Sequence, residues 1–189
     1  MQNRMANVIW VGEPATEDEY RKLGVTPPRA NLESITEEAM LEMNEPGVRE
    51  LDFPAAGLIT TAGDIALFYQ ALLTDGRAYD GTRIWQPEML HEARRIRSGN
   101  LVDAARGITA NRALGIVIAG GDGRANLRGF GRTNSPESFG HPGFGGQIGW
   151  ADPASGISFG YLTNGYDRND LREGRRSVAV CSLAGSCRE

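Results

Sequence analysis

The feature that most constrains this fold is a change of sequence period near Gly107. Before it, apolar residues recur at helical spacing, and after it they form short extended runs between turns. The chain has 25 glycines among 189 residues, most of them after Gly107, where we expect tight turns and close backbone approaches. Helices followed by antiparallel strands predict an α+β fold with an antiparallel sheet and packed helices. We expect one domain, mainly helical over residues 1–106, with antiparallel strands and a C-terminal helix over 107–189.

The predicted helices rest on capping residues and apolar spacing. The clearest begins at Thr61 with a capping sequence, carries Ile65, Phe68 and Leu72 on one side, and ends at Gly76. Others are predicted to start at Thr16, to run over residues 34–45 until Pro46 stops the helix, to run from Pro87 toward Gly99, and to cover residues 169–183.

Three strands are predicted after Gly107. Residues 114–119 are rich in β-branched side chains and end at the glycine-rich turn 120–123. Residues 146–151 and 157–163 are joined by the segment DPASG, a turn with proline early and glycine late. The last two strands are therefore expected to form an antiparallel hairpin.

Charge and composition exclude several classes of protein. The net charge is −4 with both signs interspersed, which gives no general attraction to nucleic acid or anionic lipid. No apolar run approaches the roughly 18 residues of a membrane span, and the first residues lack the pattern of a secretory signal, so a cytoplasmic location is expected. Cys181 and Cys187, with only two histidines, offer neither a disulfide framework nor metal-ligand spacing, so no metal or cofactor is expected.

His141 is the main candidate for chemistry. Pro142 biases it toward extended geometry and lacks a backbone donor, which a sheet tolerates mainly at an edge. Gly143, Gly145 and Gly146 let a ligand approach the backbone closely. We expect His141 on an edge strand facing a concave surface, with the Phe144 N–H directed into the same groove. The alternative is a hydrogen-bonded structural histidine.

A set of segments in this order resembles the C-terminal half of the serine β-lactamase-like family, which includes class C β-lactamases, penicillin-binding proteins and related carboxylesterases. The segments are TTAGDIALFYQALL at 60–73, IWQPEM at 84–89, FGHPGFGG at 139–146, DPASGI at 152–157 and YLTN at 161–164. The resemblance runs from about Pro54 to the end of the chain, and it implies a β-lactamase/transpeptidase-like fold.

The resemblance also implies site residues. In that family the nucleophile is the serine of S-x-x-K, a Y-x-N tyrosine helps to move protons, and a K-T-G or H-x-G strand closes the site. His141 begins a segment similar to the H-x-G form, and the backbone N–H of Phe144 would be an oxyanion-hole donor. The substrate-binding residues that the resemblance implies are Pro142, Gly143 and Gly145. The resemblance implies a small-molecule ester or amide as the substrate. Because Pro142 replaces a threonine and has no hydroxyl, esters are favoured over β-lactams.

Two motifs of the family are missing from the sequence. The only lysine is Lys22, three residues after Glu19 rather than a serine, and no tyrosine begins Y-x-N. We therefore expect a partial β-lactamase-like domain, incomplete at its N-terminus, that is inactive alone and that either self-associates or requires a missing N-terminal half. The alternative is a noncatalytic module that uses the same glycine-rich groove for ligand binding or assembly.

Overall fold

The computed structural model describes residues 5–27, 36–51, 57–104 and 106–187. Its α-helices are α1 (Glu17–Leu23), α2 (Glu37–Leu41), α3 (Pro46–Arg49), α4 (Ala62–Leu73), α5 (Pro87–Arg94) and α6 (Asp170–Gly185). Its strands are β1 (Ile9–Val11), β2 (Val102–Asp103), β3 (Ile108–Thr109), β4 (Val117–Ile118), β5 (Phe139–Pro142), β6 (Ile148–Asp152), β7 (Ile157–Tyr161) and β8 (Gly165–Asp167). No helix in these ranges is long and apolar enough to cross a membrane.

The chain groups into two compact units. The first contains Met1–Thr60 with Thr163–Glu173, and the second contains Thr61–Leu162 with Gly174–Glu189. Helix α6 begins in the first unit and continues in the second.

The first unit is organised by a parallel pair of strands that sequence periodicity did not reveal. Strand β1 pairs with β8, so that Ile9 lies opposite Gly165. Near this pair, the Arg168 guanidinium donates two hydrogen bonds of 2.7 Å to the Glu37 carboxylate. Helix α1 has the predicted capping box, in which Thr16 and Glu19 satisfy each other's backbone N–H.

The prediction for residues 34–45 needs correction. Residue 34 lies outside the described residues, and α2 begins at Glu37 behind a Thr36 cap, then tightens into a 3₁₀ turn over Glu42–Asn44. Pro46 was expected to end a helix but instead opens α3. Proline suits a first helical turn because the N–H that it lacks has no helical partner there.

The second unit contains an antiparallel sheet in the order β4-β5-β6-β7. The predicted hairpin is present as β6 and β7, with Ile148 opposite Tyr161 and Asp152 opposite Ile157. Gly156 in the connecting turn has a φ of +74°, a conformation that glycine adopts without steric cost.

Other elements of this unit are shorter than predicted. Strand β4 covers only Val117–Ile118 of residues 114–119, and α5 ends at Arg94 because Arg95 is already extended. Strands β2 and β3 form a two-residue antiparallel pair that has no clear sequence signal.

Helix α4 lies on one face of the sheet and starts at the predicted Thr61 capping box. Beneath it, Gly149 of β6 and Gly160 of β7 are directly opposite each other in register. A Cβ at Gly149 would lie 2.3 Å from Cε2 of Tyr69, and one at Gly160 would lie 2.3 Å from the carbonyl oxygen of Ala62. The paired glycines therefore permit a helix-to-sheet approach that any side chain would prevent.

The opposite face of the sheet carries a second apolar layer. Trp150 and Phe139 are fully buried on alternate faces, and the Trp150 side packs with Phe130, Ile148 and Cys181. The indole N–H of Trp150 lies 3.4 Å from the Cys181 Sγ atom, within the part of α6 that follows Gly174. The sheet of this unit is thus covered on both faces, by α4 and by the later turns of α6.

Candidate active site

His141 lies on β5, which is the second strand of the sheet, so the prediction of an edge strand is wrong for the strand as a whole. Strand β4 pairs only with Phe139 and Gly140, whereas β6 pairs with all four residues of β5. His141 and Pro142 therefore extend past β4. Because Pro142 has no N–H to donate, this end of the strand suits it better than the middle of a ladder.

The backbone of His141 is held by the helix that covers the sheet. The buried hydroxyl of Tyr69 accepts a hydrogen bond from the His141 backbone, while burial raises the pKa of Tyr69 to about 12. A phenol with this pKa stays protonated at neutral pH. Tyr69, as a neutral group, thus links α4 to the end of β5 that extends past β4.

The His141 imidazole is exposed and has a partner at each nitrogen. Nε2 lies 3.1 Å from a terminal guanidinium nitrogen of Arg112, and Nδ1 lies 2.6 Å from the carbonyl oxygen of Pro142. Arg112 forms a backbone bridge with Val117 of β4. The structure therefore brings a cation from a distant loop to the motif histidine.

A tight turn follows the histidine. The Gly143 N–H donates to the Gln147 carbonyl oxygen at 2.6 Å, and a 3₁₀ turn covers Phe144–Gly146. Gly145 and Gly146 have φ values of +74° and +88°, which allow the chain to reverse within a few residues. Gly145 is buried, while the Phe144 side chain is 42% exposed, so the turn presents Phe144 at the surface beside the exposed Gly143.

A small recess adjoins this end of β5. Its lining includes Pro142 and Arg112 but not His141 or Phe144. Asp103 and Arg128 also line it, and the buried Arg128 guanidinium binds the Asp122 carboxylate, with one contact of 2.7 Å. The predicted turn at 120–123 thus supplies the carboxylate of an ion pair with a buried arginine.

Ser135, Ser138 and Cys181 have no histidine or lysine among their hydrogen-bond partners in the described part of the chain. The Ser135 hydroxyl bonds to the Asp152 carboxylate, and the buried Ser138 hydroxyl has no hydrogen-bond partner among the described residues. Burial raises the pKa of the Cys181 thiol to about 11, so it remains protonated. Lys22 pairs with Asp18 at 2.6 Å on the exposed side of α1.

Over the same ranges, no group of three or more His, Cys, Asp or Glu side chains is placed to hold a metal ion.

Sequence reasoning identified the contiguous segment from His141 to Gly145 but missed Arg112 and Tyr69. Arg112 is 29 residues from His141 and belongs to no motif, so no local pattern connects the two. Tyr69 did carry a signal, because a tyrosine on the apolar side of a core helix needs a hydrogen-bond partner for its hydroxyl.

The Beta-lactamase family model matches residues 6–182. The chain is 31% identical over 115 residues to the "Esterase/beta-lactamase LipL" of Mycobacterium tuberculosis, an alignment that covers 61% of this chain and 24% of that protein. This chain therefore spans about a quarter of the length of that curated relative.

Two solved structures are similar to this fold. A penicillin-binding protein homolog from Caulobacter crescentus has a TM-score of 0.50 and 26% identity, covering 66% of this chain and 32% of that one. A family VIII carboxylesterase has a TM-score of 0.58 and 23% identity, covering 95% of this chain and 44% of that one. The predicted α+β fold and the family resemblance are confirmed, and the chain belongs to the beta-lactamase family.

Proposed function

We propose that residues 141–146 form one wall of an acyl-transfer site in a serine hydrolase that acts on small ester or amide substrates. The observation that carries the proposal is the exposed H-x-G segment, which extends past β4 and turns sharply at Phe144. At this position the Phe144 backbone N–H would stabilise the oxyanion of a tetrahedral intermediate. Pro142, Gly143 and Gly145 would flank the acyl group, where glycine allows close approach.

An esterase is favoured over a β-lactamase by the chemistry of the segment. Pro142 has no hydroxyl with which to bind the carboxylate of a β-lactam. The curated relative in Mycobacterium tuberculosis is named an esterase as well as a beta-lactamase, which is consistent with an ester substrate.

The nucleophile and base of such a reaction are not supplied by these 189 residues in S-x-x-K or Y-x-N form. We propose that the chain alone does not turn over a p-nitrophenyl ester or a chromogenic cephalosporin above the buffer rate, because an oxyanion donor without a nucleophile forms no acyl-enzyme. Turnover that survives rigorous purification, and that Ser135→Ala or Ser138→Ala abolishes, would contradict this.

A complementation experiment tests the site itself. The full chain is co-expressed with the S-x-x-K segment of a family VIII carboxylesterase, and ester hydrolysis and fluorophosphonate labelling are measured. Both signals should appear only when the two polypeptides are present together. Phe144→Pro removes the proposed N–H donor and should lower kcat by roughly 10²–10³-fold, as expected for loss of one oxyanion donor. Phe144→Ala keeps the N–H and is the matched control.

The second candidate is an assembly module that binds another polypeptide without catalysis. It is favoured by β7, which is the last strand of its sheet among the described residues, and by the exposure of Leu67 and Phe68 on α4. An open strand edge favours pairing with another chain. If co-expression raises soluble yield and changes the mass in light scattering but no fluorophosphonate labelling appears, this candidate replaces the first.

A further inference from the structure

The contact between Arg112 and His141 specifies which imidazole nitrogen carries the proton. A guanidinium has only N–H donors and stays protonated in proteins. Since its terminal nitrogen lies 3.1 Å from Nε2, that ring nitrogen must be the acceptor and carry no proton. A carbonyl oxygen has only lone pairs, so Nδ1, at 2.6 Å from the Pro142 oxygen, must carry the proton.

Both contacts are satisfied by one form of the ring. The Nε2–H tautomer would place N–H against N–H at Arg112 and lone pair against lone pair at Pro142. The imidazolium would satisfy Pro142 but would place two positive groups in contact at Arg112. Only the neutral Nδ1–H tautomer has a complementary partner at each nitrogen.

The backbone of Arg112 is held in place by hydrogen bonds on both sides of its peptide unit. Its backbone N–H donates to the Ser98 hydroxyl at 3.0 Å, and its carbonyl oxygen accepts from the N–H of Arg97 at 2.7 Å. The Arg112 side chain is 47% exposed, and its guanidinium lies 4.0 Å from the Asp103 carboxylate, which itself pairs with Arg106 at 2.9 Å. The Arg112 side chain is thus partly exposed, and its ion pair with Asp103 is at the long limit of such contacts.

We propose that Arg112 is a positioning residue that holds His141 as the neutral Nδ1–H tautomer and provides the fixed positive charge at this end of β5. With Nε2 occupied by Arg112, His141 orients the motif and does not accept a proton in the reaction. This inference rests on the proposed function for its role in catalysis, but the tautomer is measurable without turnover.

Arg112 and the Pro142 carbonyl contact the imidazole, and the neutral Tyr69 hydroxyl contacts the His141 backbone. Asp103 lies 4.0 Å from the Arg112 guanidinium and pairs with Arg106 at 2.9 Å. Arg106 therefore provides a matched control, since it is a neighbouring arginine whose close partner is a carboxylate and not the imidazole.

The experiment is a long-range ¹H–¹⁵N correlation spectrum of the uniformly ¹⁵N-labelled full chain at pH 8. The chain has only two histidines, so the His91→Gln variant assigns the signals. We expect the Nδ1 shift of His141 in the protonated range and the Nε2 shift in the unprotonated range. Arg112→Met should shift Nε2 toward the protonated range, Arg112→Lys should retain the wild-type pattern, and Arg106→Met should leave it unchanged.

Two results would overturn the proposal. The first is a wild-type spectrum in which His141 Nε2 is mainly protonated, and the second is an Arg112→Met spectrum identical to the wild type. If Arg112→Met does not fold, Arg112→Lys still decides, because loss of the wild-type pattern in that folded variant contradicts the proposal. Failure of the complementation assay with the wild-type tautomer intact would refute the acyl-transfer function alone.

Discussion

The close packing of α4 on the sheet can be tested by adding a methyl group at the contact. Replacing Gly160 by alanine adds one methyl group, whose Cβ would lie 2.3 Å from the Ala62 carbonyl oxygen. The same Cβ would lie 3.1 Å from both the Ala66 backbone nitrogen and the Ile65 Cβ. The first distance is about 1 Å shorter than van der Waals contact, and the obstacle is backbone, which no rotamer change relieves.

The size of the effect follows from overpacking. Forcing a methyl group into a well-packed interface costs roughly 1–3 kcal/mol, because α4 must move away from β7 or the strand must bend. For a chain of this length, each kcal/mol corresponds to a melting-temperature change of about 2–4 °C. Gly160→Ala should therefore lower Tm by roughly 2–12 °C.

The assay is thermal and urea unfolding followed by circular dichroism, with Gly174→Ala as the matched control. Gly174 lies within α6, and a Cβ there meets no atom within 4 Å. In a helix with open space, alanine should stabilise the chain by about 0.5–1 kcal/mol relative to glycine. The same substitution is thus expected to have opposite signs at the two positions.

A Gly160→Ala variant as stable as the wild type, with unchanged α4 amide exchange, would refute the argument that the glycine pair sets the helix-to-sheet distance. Equal destabilisation at Gly174 would refute it too, since the effect would then be independent of the contact with α4.

The other predictions concern thiol, carboxylate and hydroxyl side chains. At pH 8 a disulfide reagent should label one thiol rapidly, Cys187, and should label Cys181 only after unfolding, because burial raises the pKa of Cys181 to about 11; two rapidly labelled thiols would contradict this. Hydrogen bonds from Arg128 hold the pKa of Asp122 well below its usual range. This carboxylate therefore stabilises the fold above its unfolded pKa near 4, and the contribution is lost as pH falls through the folded value. Asp122→Asn should lower the urea midpoint at pH 7, and its difference from the wild type should begin to shrink only as the pH falls below about 4 toward the folded pKa. A difference in midpoint that does not shrink over that acidic range would exclude the Asp122 charge as its cause. Tyr69→Phe, which removes the acceptor for the motif histidine's backbone N–H, should cost about 0.5–1.5 kcal/mol in urea unfolding; an unchanged midpoint would mean that this bond contributes nothing net.

The amino-acid sequence alone determined the features whose partners are near in the chain. The capping boxes at Thr16 and Thr61 each close within three residues, and both are present in the structure. The β6–β7 hairpin depends on a short turn with Gly156 at its end, so it was also predictable. The H-x-G segment and the absence of S-x-x-K are properties of the sequence itself.

Only the tertiary structure decided which distant elements meet. The parallel pairing of Ile9 with Gly165, the seating of α4 over Gly149 and Gly160, and the approach of Arg112 to the motif histidine join residues far apart in sequence. Such contacts depend on which faces pack and in which register, and a local hydrophobic period states only that a face is buried, not what covers it. The candidate site at the end of β5 therefore combines a motif that the sequence specifies with an arginine that only the tertiary packing brings to it.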